Sequence, residues 1–120
     1  LNKIIKMYTI LHNSRCGQSR DAMKVLEESG KDFVVREYLK EPLTKNELKE
    51  ILTKLNLKPI DIVRTNEEDW KANFKGKELS DDEVLNALVE YPKLIQRPIV
   101  TDEKNGVVGR PKELVEDFIK

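Results

Sequence analysis

The sequence predicts an α/β fold: a small sheet with flanking helices, interrupted by a helical insertion. Three observations carry this. A strand–helix–strand pattern occupies the first third of the chain, a run of capped helical patterns fills about residues 44–91, and a β-hairpin followed by an amphipathic helix ends the sequence. With 120 residues, the expectation is one domain over 1–120, able to bury roughly two-thirds of its unfolded surface. No internal repeat, low-complexity tract or linker divides it.

Residues Leu1 to Lys6 are expected to lie ahead of a natural start at Met7 and receive no functional weight. The first strand, about Lys6 to Leu11, contains Tyr8-Thr9-Ile10-Leu11, β-branched or aromatic enough for a buried position. A helix follows over Gly17 to Ser29, with Ala22, Val25 and Leu26 on one face and Gly30 closing it. Phe33-Val34-Val35 is the second strand. A β-α-β unit of about 30 residues implies parallel strands and a right-handed crossover.

Glu41-Pro42 breaks the chain before Thr44-Lys45-Asn46-Glu47, a capping box that opens a helix bearing Leu48, Ile51, Leu52 and Leu55. Pro59 starts a short helix with Ile60, Ile62 and Val63, ending near Arg64, and a less regular stretch with Trp70 and Phe74 follows. Ser80-Asp81-Asp82-Glu83 is a second capping box, whose helix presents Val84, Leu85, Leu88 and Val89 until Pro92 stops it. The hairpin is Ile99-Val100-Thr101, a turn over Asp102 to Gly106 with Asn105-Gly106 as its αL-tolerant pair, then Val107-Val108. Arg110-Pro111 opens the last helix with proline at its first position, and Leu114, Val115, Phe118 and Ile119 line one side.

Basic and acidic residues number 22 each, and no block of like charge favours a nucleic-acid or membrane surface. A single cysteine excludes an internal disulfide, and there is no secretory apolar segment or run of about 18 apolar residues. The expected compartment is therefore the cytoplasm, where the thiol stays reduced. One histidine and one cysteine position no metal site, and no bound cofactor is expected.

That cysteine lies in His12-Asn13-Ser14-Arg15-Cys16-Gly17-Gln18-Ser19-Arg20, between the first strand and the first helix. A buried structural cysteine is the common case, but every neighbour here is polar or glycine. A thiol at a helix start feels the positive end of the dipole and the free first-turn N–H groups, which favour the thiolate. Gly17 lets the backbone approach an anion held by those amides. Three of six arginines, Arg64, Arg97 and Arg110, stand where ordered elements end, and two of these precede proline, which restricts their backbone. A planar guanidinium fork suits a tetrahedral oxyanion. Any one of these arginines alone reads as a surface group; beside Cys16 they read as a set. His12, four residues before the cysteine, is placed to orient the loop or help stabilise the thiolate.

The cysteine loop, Arg64 after Ile60 to Val63, the block Leu94-Ile95-Gln96-Arg97-Pro98-Ile99-Val100 and Gly109-Arg110-Pro111 together resemble the successive signatures of the ArsC family, the glutaredoxin-dependent arsenate reductases. The likeness runs from Met7 to Lys120. It implies a thioredoxin-like, mixed four-stranded sheet with the helical insertion beside it. It also implies Cys16 as nucleophile, Arg64, Arg97 and Arg110 as oxyanion-binding residues, and a cis peptide bond before Pro98. His12, Asn13, Gly17, Ser19 and Pro98 would support them. Arsenate or a related oxyanion would be the substrate, glutathione the co-substrate and glutaredoxin the protein partner. The same fold includes proteins similar to YffB, read as glutathione-dependent thiol reductases, and to the transcription regulator Spx, which binds RNA polymerase. Ser19 stands where an Spx-type Cys-x-x-Cys switch needs its second cysteine.

Overall fold

The computed structural model describes residues 6–120, so the expectation for Leu1 to Lys6 lies, but for Lys6, outside the described residues. In chain order the elements are β1 (Tyr8–Leu11), α1 (Gly17–Ser29), β2 (Phe33–Arg36), α2 (Lys45–Leu55), α3 (Glu68–Asn73), α4 (Asp81–Glu90), β3 (Ile99–Thr101), β4 (Gly106–Val108) and α5 (Glu113–Phe118). Short 3₁₀ turns occupy Pro59–Ile62 and Pro92–Leu94. The chain divides into two compact units, one formed by the residues up to Glu37 together with Arg97–Lys120, the other by Tyr38–Gln96.

The first unit holds the sheet, in strand order β2-β1-β3-β4. β1 and β2 are parallel, with Tyr8 opposite Phe33 and Ile10 opposite Val35; β3 runs antiparallel to β1, and β4 antiparallel to β3. This is the mixed four-stranded sheet that the resemblance implies. Alternation in β1 sends Tyr8 and Ile10 to one face, where they meet Ala22 and Leu26 of α1, Val100 of β3, and Val115 and Ile119 from the end of the chain. The Tyr8 and Phe118 rings meet edge to face at 5.9 Å. Fully burying each large apolar side chain here contributes about 1.5–3 kcal/mol. Gly30 ends α1 with φ 73°, a left-handed conformation that glycine adopts without a Cβ clash.

Two expectations for this unit are corrected. Neither Asn105 nor Gly106 has a positive φ, and Gly106 already pairs with Thr101 as part of β4. The turn is organised by Asp102 instead: its Oδ1 accepts the N–H groups of Lys104 at 2.9 Å and Asn105 at 2.7 Å, and its own N–H donates to the Asn105 carbonyl. A carboxylate that takes two amides supplies the reversal without a left-handed residue. The last helix begins at Glu113, beyond Pro111, because the first i to i+4 bond runs from Glu116 N–H to the Lys112 carbonyl. In this register Val115 and Ile119 are buried, whereas Leu114 is 41% exposed and leaves the expected apolar face.

Gly109 crosses close to this core. A Cβ there would stand 2.5 Å from Val115 Cγ2 and 3.3 Å from Pro98 Cγ, while its N–H donates to the Pro98 carbonyl at 2.8 Å. Gly109→Ala is therefore expected to destabilise the fold by about 1–3 kcal/mol, read as a lower urea midpoint at unchanged slope. Adding Val115→Ala should cost less in that background than in the parent, since it removes the clashing methyl.

The second unit is helical. Both capping boxes form: Thr44 Oγ1 accepts Glu47 N–H at 3.1 Å while the Glu47 carboxylate accepts Thr44 N–H at 2.9 Å, and Ser80 with Glu83 repeats the arrangement. Leu48 and Leu52 of α2 and Val84, Leu85 and Leu88 of α4 are buried. The stretch read as less regular contains α3, which places Trp70 at 5.3 Å from Phe74 and buries it; six residues are too few to display a helical period. The turn begun by Pro59 ends at Ile62, before Val63 and Arg64, because Val63 becomes extended and bridges Ile95. Arg64 N–H then donates to the Leu94 carbonyl at 2.7 Å, and Gln96 N–H to the Ile62 carbonyl at 2.8 Å. Among the described residues no helix is long and apolar enough to cross a membrane.

Candidate functional site

Cys16 is the N-cap residue of α1, with extended backbone (φ −96°, ψ 123°) and no capping bond from its side chain. The loop that delivers it is tied at each step. Cys16 N–H donates to the Asn13 carbonyl at 3.0 Å, Arg15 N–H to Asn13 Oδ1 at 3.0 Å, and Asn13 N–H to Ser19 Oγ at 3.3 Å. Arg20 Nη1 reaches back to the Ser14 carbonyl at 3.0 Å, and Arg20 N–H closes the first helical bond on the Cys16 carbonyl. The sequence therefore places the cysteine correctly: a polar loop between strand and helix leaves first-turn amides without intrahelical partners, and the sulfur lies among them.

Cys16 is half-buried, and burial by itself pushes its thiol up. Donation to the sulfur by the Ser19 N–H, the Arg97 guanidinium and the Gln18 N–H outweighs this, with the Arg97 charge adding to it, so the thiol lies below its ordinary value. The rate of alkylation by iodoacetamide against pH should accordingly inflect below the free-thiol value of about 8.5, falling tenfold per pH unit on the acid side because only the thiolate reacts. An inflection at or above that value would remove the claim of activation.

Arg97, expected as an oxyanion ligand, is brought to the sulfur; its Nε is buried with no hydrogen-bond partner. Arg110 is exposed and donates through Nη1 to the Arg97 carbonyl at 3.3 Å, which ties its side chain to the backbone of the other pre-proline arginine. Both Arg97-Pro98 and Arg110-Pro111 peptide bonds are cis, the first as the resemblance implies. Pro98 is buried, and Ser19 is fully buried. Gly17 is exposed; a Cβ there would meet only Arg20 Nη2 at 3.6 Å. Arg64 belongs to the second unit, where its guanidinium pairs with the Glu67 carboxylate and donates to the Lys93 carbonyl at 3.3 Å.

His12 is buried, and its N–H donates to the Arg36 carbonyl at 2.9 Å. Burial lowers its pKa; Glu37 opposes this, Arg20 reinforces it and Glu27 opposes it, leaving the ring neutral at neutral pH. Nδ1 has no hydrogen-bond partner. Among the described residues, no three His, Cys, Asp or Glu side chains converge to hold a metal ion. The contributions that sequence reasoning missed are the Gln18 amide on the sulfur, the Arg20 clasp on Ser14, the pairing of Arg64 and the packing of Gly109. The Arg64 to Glu67 spacing of three was a readable signal for its partner; the others depend on tertiary contacts.

The family model for "ArsC family" matches residues 11–118, a span that includes the whole cysteine loop and both pre-proline arginines. The chain belongs to the ArsC family. It is 39% identical over 116 residues to an uncharacterized protein in the glnII region of Streptomyces viridochromogenes, covering 89% of this chain and 94% of that one. It is 36% identical to the arsenate reductase ArsI2 of Synechocystis sp., over 94% of this chain and 81% of the relative. Among solved structures, an arsenate reductase from Vibrio cholerae superposes with a TM-score of 0.88 at 35% identity, covering 95% of this chain and 98% of that one. The mixed sheet with flanking helices is thus the thioredoxin-like arrangement of this family.

Proposed function

We propose that this ArsC-family protein reduces arsenate at Cys16, with glutathione as reductant and glutaredoxin as the partner that regenerates the thiol. The observation that carries the proposal is the setting of the sulfur: two first-turn amides and the Arg97 guanidinium converge on it, and Arg97 keeps a buried Nε donor unpaired. The Arg97 guanidinium beside the sulfur can donate charge-assisted hydrogen bonds to the oxygens of an oxyanion bound there. The names of relatives such as the Synechocystis and Vibrio cholerae arsenate reductases support arsenate as that oxyanion.

In this reading the Cys16 thiolate attacks arsenic, forming an S–As bond as an oxygen leaves as water. Arg97 and Arg110 hold the remaining oxygens, and Arg64 is the third arginine of the set on its sequence position alone. Glutathione attacks the adduct; the S–As electron pair passes to arsenic, As(V) becomes As(III), and Cys16 and glutathione are oxidised together to a mixed disulfide. The chain has a single cysteine, so no internal thiol can resolve that disulfide. Glutaredoxin removes the glutathione moiety by thiol–disulfide exchange and restores Cys16. The arginines act by preorganised charge rather than by proton transfer. In a reducing cytoplasm Cys16 would stay free between turnovers.

The test is arsenate-dependent NADPH oxidation coupled through glutathione reductase. Turnover is expected only with glutathione and glutaredoxin both present. Silence with arsenate, while glutathionylated Cys16 is still turned over by glutaredoxin, would move the assignment to a thiol reductase acting on another substrate. Silence in both assays with retention of RNA polymerase would move it to a regulator.

A further inference from the structure

We propose that Ser19 is a positioning residue for Cys16: its buried hydroxyl, by accepting the Asn13 N–H, holds the start of the cysteine loop against the first turn of α1, so that the Gln18 and Ser19 amides stay on the sulfur. The proposal rests on the reading of Cys16 as the nucleophile and adds a residue that acts on it without being a reacting group. Ser19 has no exposed surface, unusual for a serine in the first turn of a helix, where the hydroxyl is ordinarily solvated. Its Oγ lies 3.3 Å from Asn13 N. Asn13 in turn sets the next two residues of the loop, through Oδ1 on Arg15 N–H and through its carbonyl on Cys16 N–H, each at 3.0 Å. One hydroxyl thus fixes the residue that orients the cysteine backbone, while the amide of the same serine donates to the sulfur. A second clasp, Arg20 on the Ser14 carbonyl, is exposed and competes with water, so it contributes less. The charged group that bears on the sulfur, Arg97, comes from the segment before β3 and is untouched by a change at Ser19.

Ser19→Ala deletes the hydroxyl and keeps the amide, so any effect on the thiol must travel through the loop. In that variant the iodoacetamide rate below the inflection should fall about threefold, the loss expected for one modest hydrogen bond. The inflection should move up, and the limiting rate at high pH should stay within about twofold of the parent because the thiolate itself is unchanged. Amide hydrogen exchange read by NMR should show Asn13 N–H exchanging faster while Ile10 in β1 is unaffected. Superimposable pH profiles would overturn the proposal, as would a shifted profile with Asn13 exchange unaltered. An equal shift in Arg20→Met would also overturn it, by assigning the effect to general loosening of the loop. If Ser19→Ala does not fold, Ser19→Thr keeps the hydroxyl and must retain both Asn13 protection and the inflection; loss of either sinks the idea. None of these measurements contains arsenate, so they stand or fall separately from the substrate.

Discussion

Cys16→Ser is expected to bring arsenate-dependent NADPH oxidation down to the rate seen without protein. Two separate losses produce this. A serine hydroxyl ionises far above neutral pH, and the amides and guanidinium that favour a thiolate cannot make up that difference, so the attack on arsenic fails. In the proposed cycle reduction fails independently, because one of the two electrons delivered to arsenic would come from the Cys16 sulfur as it enters the mixed disulfide. The chain offers no second thiol to take over. The side chain swap is nearly isosteric at a half-buried position, so the melting temperature should stay close to the parent and folding will not confound the result. Turnover surviving in the variant would place the chemistry on another residue. Mass spectrometry supplies an independent check: oxidised glutathione should leave one glutathione on the parent and none on Cys16→Ser.

The parts of the fold that were legible in the sequence are those governed by near neighbours. The β-branched and aromatic run Tyr8-Thr9-Ile10-Leu11 predicted a buried strand, and Tyr8 and Ile10 do meet Ala22 and Leu26 of α1. Thr44 with Glu47 and Ser80 with Glu83 close their capping boxes because the donors and acceptors concerned lie within three residues of one another. Where tertiary contacts decide, local rules lost. Asn105-Gly106 has the composition of a left-handed pair, yet Asp102 captures the amides and leaves Gly106 free to pair in β4. Pro111 looks like a helix start, yet the helical ladder begins only after it, in the register that buries Val115 and Ile119.

The site divides along the same line. That Cys16 would stand at a helix N-terminus followed from the sequence, since a polar loop between an apolar strand and an amphipathic helix can end nowhere else. That Arg97 would reach its sulfur did not follow from spacing, because β1 and β3 must first pair before the loop and the pre-proline segment become neighbours. Arg64 shows the opposite case. Its position after an apolar run suggested a ligand in waiting, and the structure pairs its guanidinium with Glu67, three residues on. An anion recruited by Arg64 would have to compete with that carboxylate, so Arg97, whose guanidinium already lies at the Cys16 sulfur, is the arginine whose loss should matter most.

Arg97→Lys is accordingly expected to lower turnover by about 10²-fold, in the range found when one preorganised donor to a developing oxyanion is lost. The substitution keeps a positive charge, so simple Coulomb attraction predicts little change. What it removes is the planar fork, whose several N–H groups can donate to the Cys16 sulfur and to an oxygen of the substrate at once. Lysine, with three donors on one freely rotating nitrogen, cannot hold both directions at once. Arg36→Lys is the matched control: the His12 N–H bonds to the residue 36 carbonyl, which lysine retains, and turnover should stay within about twofold. One confounding effect has a known sign. Losing the guanidinium hydrogen bond should move the Cys16 pKa up, so part of any deficit near neutral pH would reflect fewer thiolates rather than poorer oxyanion binding. Measuring both variants on the alkaline plateau of their own alkylation profiles removes that contribution. If Arg97→Lys regains parental turnover there, Arg97 serves only to ionise the cysteine; a deficit that persists, with a raised KM for arsenate, assigns it to the oxyanion itself.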